Sequence, residues 1–206
     1  MLKKYLFVIV LLFFSSTLFA YEEGEAILYF NGGFGFSMGD DVYYDATPEV
    51  MAAWNLGIGF EYFFLKETEA RFPINLSFTT GLLYEKQPLS YKDKDYGSKT
   101  NFNFTYITIP MGIRILFSEF FFIGSGLYYA KTLGHDVTIN SVYMGKLIDV
   151  KDDFGLYGDF GLDFKLSDSG SLLLYFRSKM GLVEKQKGSK LKTTAGTLNI
   201  ACGIRF

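Results

Sequence analysis

Cysteine, histidine, tryptophan and proline are scarce in this 206-residue chain, which has one Cys, one His, one Trp and four Pro. A single cysteine excludes an internal disulfide, so an exported form is held together by packing. Cys202 sits on an apolar stripe and reads as a small apolar side chain. Long apolar runs are missing too. After residue 20 no stretch of 18 apolar residues occurs, which excludes a transmembrane helix there. Excess positive charge is absent, with 20 basic against 22 acidic residues, so nucleic acid is excluded as a partner. No metal or cofactor is expected.

What is abundant is aromatic and small. The chain has 23 Phe, 15 Tyr and 22 Gly, and aromatics make up 19% of it. That mixture disfavours a helical bundle and favours strands. The first twenty residues differ from the rest. Lys3 and Lys4 precede an unbroken apolar run, YLFVIVLLFF, and SSTLFA follows, ending in Ala20. A charged start, an apolar middle shorter than a membrane span and a small-residue end predict a cleaved signal peptide over 1–20. Its removal takes two lysines and no acid, leaving the 21–206 domain with a net charge of −4.

From residue 26 onward the chain repeats one pattern: apolar side chains at every second position, with small or polar ones between. The alternation predicts strands near 26–38, 53–64, 72–85, 101–116, 120–131, 154–166, 171–183 and 194–206. Trp54, Leu56, Ile58, Phe60 and Tyr62 alternate with Asn55, Gly57, Gly59 and Glu61. Ile74, Leu76, Phe78, Leu82 and Tyr84 oppose Asn75, Ser77, Thr79, Gly81 and Glu85. Most of these strands are about twice the usual length in soluble proteins. The apolar side chains are too bulky to fit inside eight strands, whose interior is barely wide enough for side chains. The apolar face therefore points into lipid and the polar face inward. The expected fold is all-β: an eight-stranded antiparallel up-and-down transmembrane barrel. Its links alternate long (39–49, 86–100, 132–153, 184–193) and short (65–71, 117–119, 167–170). That rhythm predicts four longer extracellular loops and short periplasmic turns.

Several segments carry a family likeness. TYITIPMGIRILF (105–117), FFIGSGLYYA (121–130), DFGLYGDFGLDFKL (153–166) and LLLYFRSKMGL (172–182) resemble strands of the outer-membrane β-barrel domain family of small bacterial porin-like proteins. Ile204 and the terminal Phe206 resemble the C-terminal signal read by the barrel-assembly machinery during biogenesis. The resemblance implies the bacterial cell outer membrane as location. It implies no particular activity.

Eight charged residues fall on the inward face: Glu61, Arg114, Asp159, Asp163, Lys165, Arg177, Lys179 and Arg205. In a narrow lumen they should pair and fill it, because an unpaired buried charge is costly. The competing reading is a gate or polar ligand site. Within strand four the pattern changes phase: Phe102, Phe104 and Tyr106 share one face, and Ile107, Ile109, Met111, Ile113 and Ile115 the other. With Pro110 unable to donate to the ladder, this predicts a bulge near Tyr106, or a lateral opening for apolar molecules. His135 stands beside Asp136, but neighbours in a loop do not form a triad, and no nucleophile motif is visible, so no enzyme is expected. The lysine-rich segments SYKDKDYGSK and EKQKGSKLK suit solvent, lipopolysaccharide phosphates or an extracellular ligand. The expected protein is a monomer in contact with outer-membrane lipid, structural or surface-interacting, the alternative being a narrow channel.

Overall fold

The computed structural model describes residues 24–39, 46–67, 74–117, 120–146, 150–184 and 192–206. The signal peptide expected over 1–20 lies outside the described residues, as do most of the links expected at 65–71 and 184–193 and part of that at 39–49.

Ten strands occur in chain order: β1 (Ala26–Gly39), β2 (Ala46–Glu49), β3 (Met51–Glu67), β4 (Ile74–Asp93), β5 (Lys99–Phe117), β6 (Phe121–Ile139), β7 (Val142–Gly145), β8 (Asp153–Lys165), β9 (Gly170–Gly181) and β10 (Thr193–Arg205). Eight of them close an antiparallel ring, β1-β3-β4-β5-β6-β8-β9-β10, with β10 paired back onto β1 from Ile27↔Arg205 to Gly39↔Thr193. Closure leaves no open sheet edge, which is what a spanning sheet requires in lipid. The two short strands belong to the links. β2 continues β3 beyond Val50 and pairs β4, and β7 pairs β6 alone.

Side-chain orientation follows the period-2 pattern. Phe30, Phe34, Leu56, Ile58, Phe78, Leu82, Ile113, Ile123, Phe160, Leu198 and Ile200 lie exposed on the outer surface. Their chain neighbours face the buried interior. Inward glycines make room there for larger groups. A Cβ at Gly112 would lie 2.3 Å from the Tyr157 hydroxyl, and one at Gly124 would lie 2.1 Å from Asp159 Oδ1.

The structure corrects the sequence reading in two places. Residues 86–100 are not a long loop. β4 runs to Asp93 and β5 starts at Lys99, so five residues connect them. Likewise β6 runs to Ile139 and turns through Asn140 and Ser141, both at positive φ (47° and 67°), into β7. Two left-handed residues between paired strands form a tight hairpin turn. β4, β5 and β6 thus have 20, 19 and 19 residues, against 12 and 13 for β9 and β10, and one wall stands taller at the end away from the termini. Ser90, expected in a loop, is buried in β4 and donates to Glu49.

The second correction concerns the phase change. β5 has no flip: Phe104, Tyr106, Thr108, Pro110 and Arg114 are all buried on its inward side, and Ile107, Ile109, Met111, Ile113 and Ile115 face out. The irregularity is in β6. Thr105 pairs with Gly134 and Tyr106 with Thr132, so Leu133 is the extra residue. The aromatics of upper β5 therefore point into the barrel, and its interior is not purely small and polar.

A layered lumen as candidate functional site

The interior is filled in layers from the end that holds the termini. At that end the Arg205 guanidinium donates to Ser171 Oγ (3.1 Å) and to the carbonyls of Ser167 (2.8 Å) and Gly170 (3.0 Å). Glu25 lies 3.4 Å from Arg205 and 3.9 Å from Lys165. Next comes an apolar collar: Ile27, Phe63, Leu116, Phe122, Leu173 and Ala201, with the rings of Tyr29 and Tyr175.

The collar supports a charged layer. Arg114, from β5, pairs with Glu61 of β3 and reaches Asp159 of β8 at 3.4 Å. Arg177, from β9, holds the same Asp159 oxygen at 2.7 Å. Two acids and two bases from four strands make a neutral chain across the barrel. Tyr29 and Ser77 donate their hydroxyls to Glu61. Arg114 lies 4.0 Å from the centre of the Phe122 ring, and Arg177 lies 4.6 Å from that of Tyr157. Charges in this position are stabilised by partners and ring faces in place of water.

Above it the groups are mostly neutral. Asn55 donates to Asn199 (2.9 Å), and Asn31 donates to the Tyr175 hydroxyl (3.1 Å). A second ion pair, Lys179 with Glu85, follows, and Thr108 and Gln87 also donate to that carboxylate. Tyr128 lies under the Lys179 ammonium and donates to Asp153 (2.9 Å). At the far end Leu89, Tyr91, Phe104, Tyr106, Tyr128, Ala130 and Tyr157 close into an aromatic cluster. The end of β1 seals onto it: Ser37 donates to the Pro88 carbonyl, and Gly39 leaves space for the Tyr91 hydroxyl.

Of the eight charged residues read from the sequence, Glu61, Arg114, Asp159 and Arg177 share the central layer. Lys179 lies higher, Lys165 and Arg205 lie at the terminal end, and Asp163 is buried near them on β8. Ile204 and Phe206 are exposed on the outer surface. Glu85, Asp153 and Glu25 were not among the eight. Glu85 keeps the parity of Ser77 and Thr79, and that parity was the signal for it. His135 pairs with Phe104 and Asp136 with Asn103, so the two side chains take opposite faces of β6.

The wall is interrupted between β4 and β5. The β4–β5 ladder skips from Thr80↔Met111 to Leu83↔Thr108, where Pro110 has no N–H to give. A cavity of about 20 Å³ adjoins it, lined by inward Tyr29, Asn31, Arg114 and Arg177 and by outward Ile58 and Thr80. That volume admits about one water molecule.

No family model matches the chain, and no curated protein matches it. Among solved structures, the outer membrane protein OprG from Pseudomonas aeruginosa aligns with a TM-score of 0.56 at 15% identity, covering 91% of this chain and 98% of that one. The attachment invasion locus protein Ail of Yersinia pestis aligns with a TM-score of 0.43 at 15% identity, covering 90% and 100%. The N-terminal β-barrel domain of Pseudomonas aeruginosa OprF aligns at 0.39 and 10% identity, covering 89% and 98%. The chain has the fold of the small bacterial outer-membrane β-barrels.

Proposed function

We propose that this chain is an outer-membrane barrel closed by its own side chains, acting as a structural or surface-interaction protein through its outer wall and far-end hairpins. The observation that carries this reading is the paired layer Glu61–Arg114–Asp159–Arg177, buried across the whole lumen. Each of these charges has an opposite partner, so opening a path past them means stranding at least one in a dry interior. The tall wall of β4, β5 and β6 supports reading the far end as the outer side and the termini as periplasmic, since barrels of this kind carry their longer links outside. The processing of residues 1–20 and the assembly role of Phe206 belong to the same reading.

A second reading, a narrow path for small or apolar solutes, draws on the interrupted β4–β5 ladder and the cavity beside it. Proteoliposome swelling separates the two. Vesicles holding the refolded barrel should swell no faster in isotonic glycerol or glycine than vesicles without it. Rapid swelling favours the channel. The sidedness is checked by single Cys probes: with a membrane-impermeant reagent on intact cells, Asn140→Cys should label and Ser169→Cys should not.

A further inference from the structure

The outer surface is not uniform at the far-end edge of its apolar band. On β4 the outward residues run from Ile74 to Tyr84, and Lys86 comes next. Ten residues of tilted strand rise about 25 Å, the height of the apolar band of such barrels. On β6 the outward run ends at Tyr129, and Lys131 comes next. Trp54 packs on Tyr84 with ring centres 5.5 Å apart, and Trp54 is the ladder partner of Lys86. Interfacial aromatics of this kind mark the boundary between hydrocarbon and headgroups.

Both lysines are exposed and flank β5. Lys86 pairs with Thr105, and Lys131 pairs with Ile107, two residues along the same outward face. Their Cα atoms are therefore about 12 Å apart, close enough for two flexible stems to converge. Lys86 makes no ion pair among the described residues. Asp152 interacts electrostatically with Lys131 and accepts from the Tyr129 hydroxyl and from the Thr132 amide (2.9 Å). Across the barrel, at the same edge, β1 and β9 present Phe36, Met38 and Met180 instead. Lys86 and Lys131 thus place positive charge above the aromatic girdle on the tall wall.

We infer that Lys86 and Lys131 form a binding site for the phosphates of an outer-leaflet saccharolipid, with Trp54, Tyr84 and Tyr129 against its acyl chains. The inference rests on reading the far end as the outer side. An ammonium group facing anionic headgroups gains roughly a factor of five in affinity, so the pair gives about thirtyfold.

The test compares wild type with K86Q/K131Q, both refolded in detergent and first checked for heat-modifiable migration. Each is titrated with diphosphoryl lipid A, and bound lipid is counted by native mass spectrometry. Wild type should bind about thirtyfold more tightly than K86Q/K131Q. It should also discriminate against dephosphorylated lipid A and be indifferent to inorganic phosphate. The control K94Q/K146Q, with changes nearer the hairpin tips, should bind like wild type. Equal binding by wild type and K86Q/K131Q, or no preference for the phosphorylated lipid, or displacement by inorganic phosphate, overturns the site. Binding in detergent does not depend on sidedness, so such a result leaves the barrel reading standing. Wild type that lacks heat-modifiable migration overturns the barrel reading and the site with it.

Discussion

The outer face and the lumen are built from the same strands, one residue apart, yet they are stabilised in opposite ways. Outside, each residue meets lipid, and the ring contacts there are apolar ones between ladder neighbours, as where Phe160 packs on Phe176 with ring centres 5.7 Å apart. Leu198 need only be apolar. Inside, each residue depends on partners from other strands. Arg114 is held by Glu61 of β3, Asp159 of β8 and the Phe122 ring of β6. The outside is therefore tolerant of exchange among apolar side chains, and the inside is a single cooperative arrangement.

Breaking one lumen pair should have the largest effect. Glu61→Ala leaves Arg114 with the more distant Asp159 as its one remaining carboxylate partner among the described residues and removes the acceptor for Tyr29 and Ser77. The expected loss is about 3–5 kcal/mol, measured by urea unfolding in lipid vesicles. A loss no larger than that of an outward Ile58→Ala control would contradict the contrast between the faces. Charging the outer face should cost less. Phe160→Arg places a cation near the middle of the band and should destabilise by about 2–4 kcal/mol in the same assay. Indifference to that change would mean that Phe160 does not face hydrocarbon.

The smallest effect belongs outside both regions. Glu49 accepts an ion pair from Lys99 at 3.0 Å on the far-end hairpins, and that bond foremost holds its carboxyl below the usual range. A lowered folded-state pKa contributes stability above the ordinary carboxylate range, and that contribution is lost as pH falls through the lowered value. The protection factors of the Ser90–Asp93 amides, corrected for intrinsic exchange, should therefore fall on acidification more in wild type than in Glu49→Gln. Parallel curves for the two proteins would remove Glu49 as the titrating group.

The same contrast explains what could be read from the sequence. Alternation revealed the eight ring strands and the lipid face because each outward residue is governed by its own position. Glu61 and Arg114 could be placed inward in the same way. Their partners could not, because pairing depends on ring closure and shear. Lys179 meets Glu85 from 94 residues away. Upper β4 was misread because Lys86, Gln87 and Pro88 look like loop residues, yet β2 and the Ser37 hydroxyl cover that stretch. Upper β5 was misread because Phe104 and Tyr106 suggest lipid on composition alone. They lie inside because β5 keeps one parity from Phe104 to Arg114, and the β5–β6 ladder takes up the mismatch at the extra Leu133.

The central claim is that the lumen is closed by its own paired side chains, and single-channel conductance in a planar bilayer tests it most directly. Wild type should show no steady conductance, and Glu61→Ala should show intermittent openings as Arg114 loses its anchor. A large, steady wild-type conductance, unchanged in Glu61→Ala, would contradict the closed lumen and leave the channel reading in its place.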